Sequence, residues 1–145
     1  MRKLLLILFP ILLLSCSQSV SEDDLQKING YWEIEKVVMP NGDEKDFSIN
    51  MTYDYFEIKN NSGFRRKGTP RFDGKFEGND VVEQVDIQFS DGKAFIHYET
   101  PFMKWKEEIV SLSEEKLVLI NTENKEYHYK RATPINLYGD GEATK

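Results

Sequence analysis

From residue 31 onward, apolar and polar positions alternate with a period of two. In "EQVDIQF", Val85, Ile87 and Phe89 fall on one face and Gln84, Asp86 and Gln88 on the other, the pattern of a half-buried strand. The same reading gives strands at "YWEIEKVVM", "EKDF", "TYDYFEI", "FRRKG", "RFDGKFEG", "KAFIHYE", "MKWKEEIVSL", "KLVLIN" and "EYHYKR". Turn signals separate them: Pro40-Asn41-Gly42-Asp43, the run from Lys59 to Gly63, and Ser90-Asp91-Gly92. Pro70 suits an edge, a bulge or a bend. One short helix precedes the strands. Ser21 and Asp24 have capping-box spacing, Leu25 and Ile28 share a face, and Asn29-Gly30 is a stop. No later stretch holds a helical period. Short strands with turns every eight to twelve residues predict an all-β antiparallel sandwich or closed barrel. Closure is favoured because it removes exposed edges.

The first sixteen residues break this pattern. Arg2 and Lys3 lead an apolar run from Leu4 to Leu14 that Pro10 interrupts. Eleven apolar residues are too few to span a bilayer, which takes about 20. The arrangement has the charged and apolar regions of a secretory signal. Leu13-Leu14-Ser15-Cys16 resembles a bacterial lipobox, where the signal is cut before the cysteine and its thiol takes diacylglycerol. The resemblance implies lipidation of Cys16, a signal peptide over residues 1–15, and a lipid-anchored envelope protein. An ordinary signal with an incidental cysteine is the alternative. Cys16 is the single cysteine, so no internal disulfide is available and the fold must stand on its core. Ser17 and Gln18 carry no aspartate retention signal. The expected location is therefore the outer membrane, on its periplasmic face or at the cell surface. The acidic "SEDD" resembles a surface-export signal and equally fits a solvated first helical turn.

Length and composition add bounds. The 145 residues allow one domain of ordinary size, carrying a net charge of −6. Without Arg2 and Lys3, seventeen basic residues face twenty-five acidic ones, giving −8. Such a surface argues against nucleic acid as a partner. The expected division is a signal over 1–15, a lipidated tether over 16–24, a barrel domain over 25–131 and a loose tail over 132–145.

Gly30-Tyr31-Trp32, opening the first strand after a short helix, resembles the G-x-W signature of lipocalins. Arg131, closing "YHYKR", stands where that superfamily packs a basic residue over the Trp ring. Residues 28–131 are similar to the lipocalin-like domains of small lipoproteins. The resemblance implies an up-and-down barrel of about eight strands, with Gly30, Trp32 and Arg131 as structural residues plugging one end. It also implies a monomer that binds a small, mostly apolar ligand. The classical family has longer chains, frequent disulfides and a C-terminal helix. Their absence from the sequence raises a second expectation, a barrel filled by its own side chains that meets an envelope protein instead.

Candidate chemistry is sparse. No nucleophile elbow, phosphate loop or metal-ligand spacing is present, so neither an enzyme nor a cofactor is expected. His97 and His128 read as outward and solvated. In "FRRKGTPRF", four cations lie between Phe64 and Phe72, either as an anion clamp or as a hairpin with solvated charges. Trp105, Glu107 and Ile109 share a face. If it points inward, Glu107 becomes a carboxylate inside the barrel, and strand parity makes Lys36 or Arg66 its partner. A buried charge needs such a partner, whether as a structural network or as part of a ligand cavity. The candidate ligand-contacting set is Lys36, Arg66, Tyr98, Trp105 and Glu107.

Overall fold

The structure, a computed structural model, describes residues 19–48, 50–71, 76–78 and 81–132. The signal peptide, Cys16, Phe72 and the tail beyond Ala132 lie outside the described residues. A 3-10 helix, Glu22–Ile28, leads into ten strands. These are β1 (Gly30–Val38), β2 (Glu44–Asp46), β3 (Tyr53–Lys59), β4 (Ser62–Pro70) and β5 (Phe76–Gly78), then β6 (Glu83–Ser90), β7 (Lys93–Glu99), β8 (Lys104–Leu112), β9 (Lys116–Asn121) and β10 (Glu126–Arg131).

Pairing runs β1-β3-β4-β6-β7-β8-β9-β10 and returns from β10 to β1, so eight antiparallel strands close an up-and-down barrel. The two shortest strands are accessory. β2 extends β1 beyond its pairing with β3, and β5 extends β4 beyond its pairing with β6. Closure gives each of these eight strands a neighbour on both sides, so none is an edge of the sheet. Tight turns hold the register. Lys59 pairs with Ser62 across Asn60 (φ 50°) and Asn61 (φ 64°), and Ser90 pairs with Lys93 across Asp91 and Gly92. Both are two-residue hairpin turns with left-handed central residues, the geometry that matches strand twist.

The helix lies across one end of the barrel, called here the closed end. At its start, the Ser21 backbone N–H and hydroxyl both donate to Asp24 Oδ2, at 3.4 and 2.7 Å. Lys27 Nζ donates to Asp24 Oδ1 at 2.6 Å, and this bond, followed by those from Ser21, lowers the Asp24 pKa to about 2. Leu25 and Ile28 are fully buried, and Val20, ahead of the helix, is only 8% exposed. Val20 thus packs into the same core as the helix. From the helix a continuous core runs through Trp32, Ile58, Ile87, Ala94, Ile109 and Leu117 to Phe56, Ile96 and Leu119 at mid-barrel.

Candidate functional site

At the closed end, Trp32 is completely buried and donates Nε1–H to the Ile28 carbonyl at 2.7 Å. The Arg131 guanidinium carbon sits 4.2 Å from the Trp32 ring centroid. Arg131 Nη1 donates to Asn29 O at 2.7 Å, Nη2 to Lys27 O and Nε to Glu114 O. One side chain therefore covers the indole, takes carbonyls at the helix C-terminus and ties down the β8–β9 turn. A cation suits the carbonyl end of a helix. Gly30 is required beside it. Its φ is +111°, and a Cβ there would lie 2.9 Å from Arg131 Nη1. Asn29 completes the plug, with its side-chain amide both donating to Ile58 O (3.0 Å) and accepting from Ile58 N–H (2.6 Å).

The inner wall changes character toward the other end. Arg65, 4% exposed, projects inward from β4 and lies 4.2 Å over the Tyr98 ring and 5.8 Å from Phe56. Its Nε donates to Glu83, and its Nη1 stands 3.3 Å from Tyr98 Oη and 3.8 Å from Glu107 Oε2. Glu107 is 9% exposed, and its Oε2 is buried with no hydrogen-bond partner. Burial pushes the Glu107 pKa up, and the positive charge of Arg65 offsets only part of that rise. For Arg65, burial works against the charged form, but Tyr98, Glu83 and Asp54 outweigh it and hold the guanidinium above its ordinary value. Buried Asp54 faces Lys67 Nζ at 3.7 Å. Tyr98 and Tyr129 are buried beside this cluster, and burial drives both phenols well up.

Above this charged floor the inward side chains are only half-buried. Ile34, Trp105 and Tyr127 pack on the rim of the core, with Trp105 stacked on Tyr98 at 5.0 Å between centroids. The Lys67 side chain, on the inward parity of β4, is 43% exposed. The open half thus combines partly buried apolar and aromatic side chains with a charged layer beneath them and the half-exposed Lys67 ammonium beside it. Outside the barrel, an open trough of about 650 Å³ crosses β6–β8, with Gln84, Asp86, His97, Glu99 and Lys104 among its lining residues. Its charges already have partners: Lys104 meets Glu99 at 2.9 Å, and Gln88 donates to Asp86 at 2.7 Å. This is a solvated strand face. His97 pairs across strands with Asp86 and Lys106, while His128 meets Glu126 at 3.0 Å. Among the described residues, no group of three potential metal ligands converges.

Comparison with known proteins supports the same architecture. The model of the lipocalin-like domain matches residues 28–119, more than half of the chain. The chain belongs to this lipocalin-like family. Two solved structures are similar. One is a lipocalin-like protein from Bacteroides uniformis, 12% identical, with 73% of this chain and 99% of that chain covered and a TM-score of 0.49. The other is an uncharacterized protein from Bacteroides eggerthii, 13% identical, with 72% and 98% covered and a TM-score of 0.48. Family membership rests on the sequence match, not on these two likenesses. No curated protein matches the chain. Lipocalin-like domains are in general non-enzymatic binding modules, and membership of the family supports a binding-module type for this barrel.

Within this lipocalin-like barrel, Tyr98, Trp105 and Glu107 come together on the inner wall of the open half. Lys36 and Arg66 do not join them, which corrects the parity read from the sequence. In β1 the register with β10 slips at Glu35: Ile34 faces Tyr129, yet Lys36 faces His128 and Val37 faces Tyr127. That bulge turns Lys36 outward, where its Nζ bonds Glu44 at 2.8 Å. In β4 the turn is Asn60-Asn61 alone, so the strand starts at Ser62 and Phe56 faces Arg65. Arg66 points outside, 5.2 Å from the Phe64 ring. The partner of Glu107 is Arg65. Nor do the cations of "FRRKGTPRF" form one clamp. Arg65 is inside, Arg66 outside, Lys67 at the rim, and Arg71 stands 3.7 Å from Glu77. Arg65, Lys67, Glu83 and Asp54 were missed as site residues. The Asn-Asn pair was the available signal, because a two-residue turn there fixes the parity of the whole hairpin.

Proposed function

We propose that this chain is an outer-membrane lipoprotein, anchored through diacylglycerol on Cys16, whose barrel binds a small, mostly apolar ligand in its open half. The apolar body would lie against Ile34, Trp105 and Tyr127, and a polar group would meet Lys67 and the charged floor. One observation carries this reading. At the closed end Leu25, Ile28, Trp32 and Leu117 are fully buried, with Phe89 and Leu112 half-buried at the margin, whereas Ile34, Trp105 and Tyr127 of the open half stay half-buried over the charged groups. Two or three acyl chains make such an anchor stable where a single one would not. The lipobox residues support the anchor, and the family supports the binding role.

A second reading is a filled barrel with no small ligand and a protein partner on its surface. Arg65 favours it, because its guanidinium spans the lumen between Tyr98 and Phe56. Titration of the detergent-purified protein with fluorescent apolar probes, then displacement by an envelope lipid extract, separates the two. Saturable, displaceable binding is expected. Absence of saturation, together with a specific protein crosslink in cells, would establish the filled barrel instead.

A further inference from the structure

The structure fixes how much free chain separates the proposed anchor from the barrel. Val20 is 8% exposed and shares the core of Leu25, Ile28 and Trp32, so the chain is held at the closed end from that residue onward. Only Ser17, Gln18 and Ser19 lie between Cys16 and Val20. Four residue steps reach at most about 14 Å when fully extended. The barrel is taller than that. Nine-residue strands such as β4 and β8 run about 30 Å at about 3.3 Å per residue, or about 20–25 Å of height at ordinary barrel tilt.

We infer that the closed end faces the membrane of attachment and the mouth of the barrel is held pointing away from it. This rests on lipidation of Cys16 as proposed above. A tether this short cannot pass along the barrel wall to lay the open end on the same bilayer. The charges at the closed end nearly balance, with Glu22, Asp23, Asp24, Asp91, Glu114 and Glu115 against Lys27, Lys59, Lys93, Lys116 and Arg131, so the short tether and not surface charge sets the orientation. Two consequences follow. The ligand exchanges with the aqueous side rather than laterally from the bilayer. The β7–β8 turn, which exposes 89% of Phe102 and is fixed by Thr100 Oγ1 accepting from the Phe102 and Met103 N–H groups at 3.2 Å each, points away from the membrane and is not a second anchor.

The test uses the full lipidated protein in vesicles with an energy acceptor on the lipid headgroups. With Cys16 acylated, a second cysteine is the single labelling site. Ser90→Cys places the donor dye at the closed end, and Thr122→Cys places it at the open end. Transfer from the first should exceed transfer from the second at least about twofold, given the height difference. Inserting a flexible linker of about twenty residues after Gln18 should abolish the difference, because its reach then exceeds the barrel height. Equal or reversed transfer in the uninserted protein overturns the orientation. Mass spectrometry of the mature N-terminus reads the anchor separately. An unacylated Cys16 overturns the lipoprotein reading and this inference with it, whereas acylation with equal transfer overturns the orientation alone.

Discussion

The two halves of one barrel wall, built from the same eight strands, solve the interior in opposite ways. The closed half is dry, with Trp32, Leu25, Ile28 and Leu117 fully buried and the polar edge of Trp32 satisfied by a helix carbonyl. The open half buries charge, with Arg65 set between Glu83 and Glu107 and Glu107 Oε2 without a donor. Apolar burial gains free energy without needing geometry, whereas buried ions cost free energy unless every partner is present. The first half is therefore stabilised by apolar burial alone. The second tolerates an incomplete network, which makes it the place for binding.

Mutations can break this contrast, and the two largest effects should fall one in each half. Trp32→Ala removes a fully buried indole and should cost about 3–5 kcal/mol in urea denaturation. It also removes the ring beneath Arg131. Arg65→Ala strips the counter-charge from two carboxylates and should cost a similar 3–5 kcal/mol. The contrast lies in rescue. Arg65→Met combined with Glu83→Gln and Glu107→Leu should recover most of the Arg65→Ala loss, because a well-packed interior without net charge replaces the buried ion cluster at little cost. No second substitution repairs Trp32→Ala in that way.

A smaller effect separates the halves by pH. The pKa of Glu107 is raised in the folded protein, so the native state holds its proton at pH values where the unfolded chain has lost it. Its contribution is present in full below the unfolded value near 4.5 and is lost as pH rises through the higher folded value. Denaturation curves of wild type and Glu107→Gln should therefore diverge as pH increases from about 4.5, with the variant gaining relative stability. Asp24 at the closed end has the opposite sign. Its lowered pKa gives a contribution that is present above 3.8 and lost as pH falls through about 2.

The smallest effects belong to the outward cations. Lys36→Ala and Arg66→Ala should each change stability by no more than about 0.5 kcal/mol and leave probe affinity unchanged. A loss of affinity in either would restore the parity that the strand registers exclude. These two residues also mark what the sequence concealed. Strand existence and order were legible because alternation and turn residues report them locally, and the plug was legible through Gly30, Trp32 and Arg131. The inward face of β8 was equally readable, since Trp105, Glu107 and Ile109 precede any irregularity. The bulge at Glu35 leaves no compositional trace, because it is set by pairing with β10, ninety residues on. The error at Arg66 was local. A turn spread over Lys59 to Gly63 conceals the two-residue turn at Asn60-Asn61 and exchanges Arg65 for its neighbour.

The protein has two tryptophans, one in each half: Trp32 fully buried in the plug and Trp105 half-buried on the inner wall of the open half. Intrinsic fluorescence during titration with an amphipathic probe therefore tests directly whether the open half is the binding site. A saturable change that persists in Trp32→Phe and disappears in Trp105→Phe is the predicted result. A change that survives in Trp105→Phe, or none at any probe concentration, would contradict it.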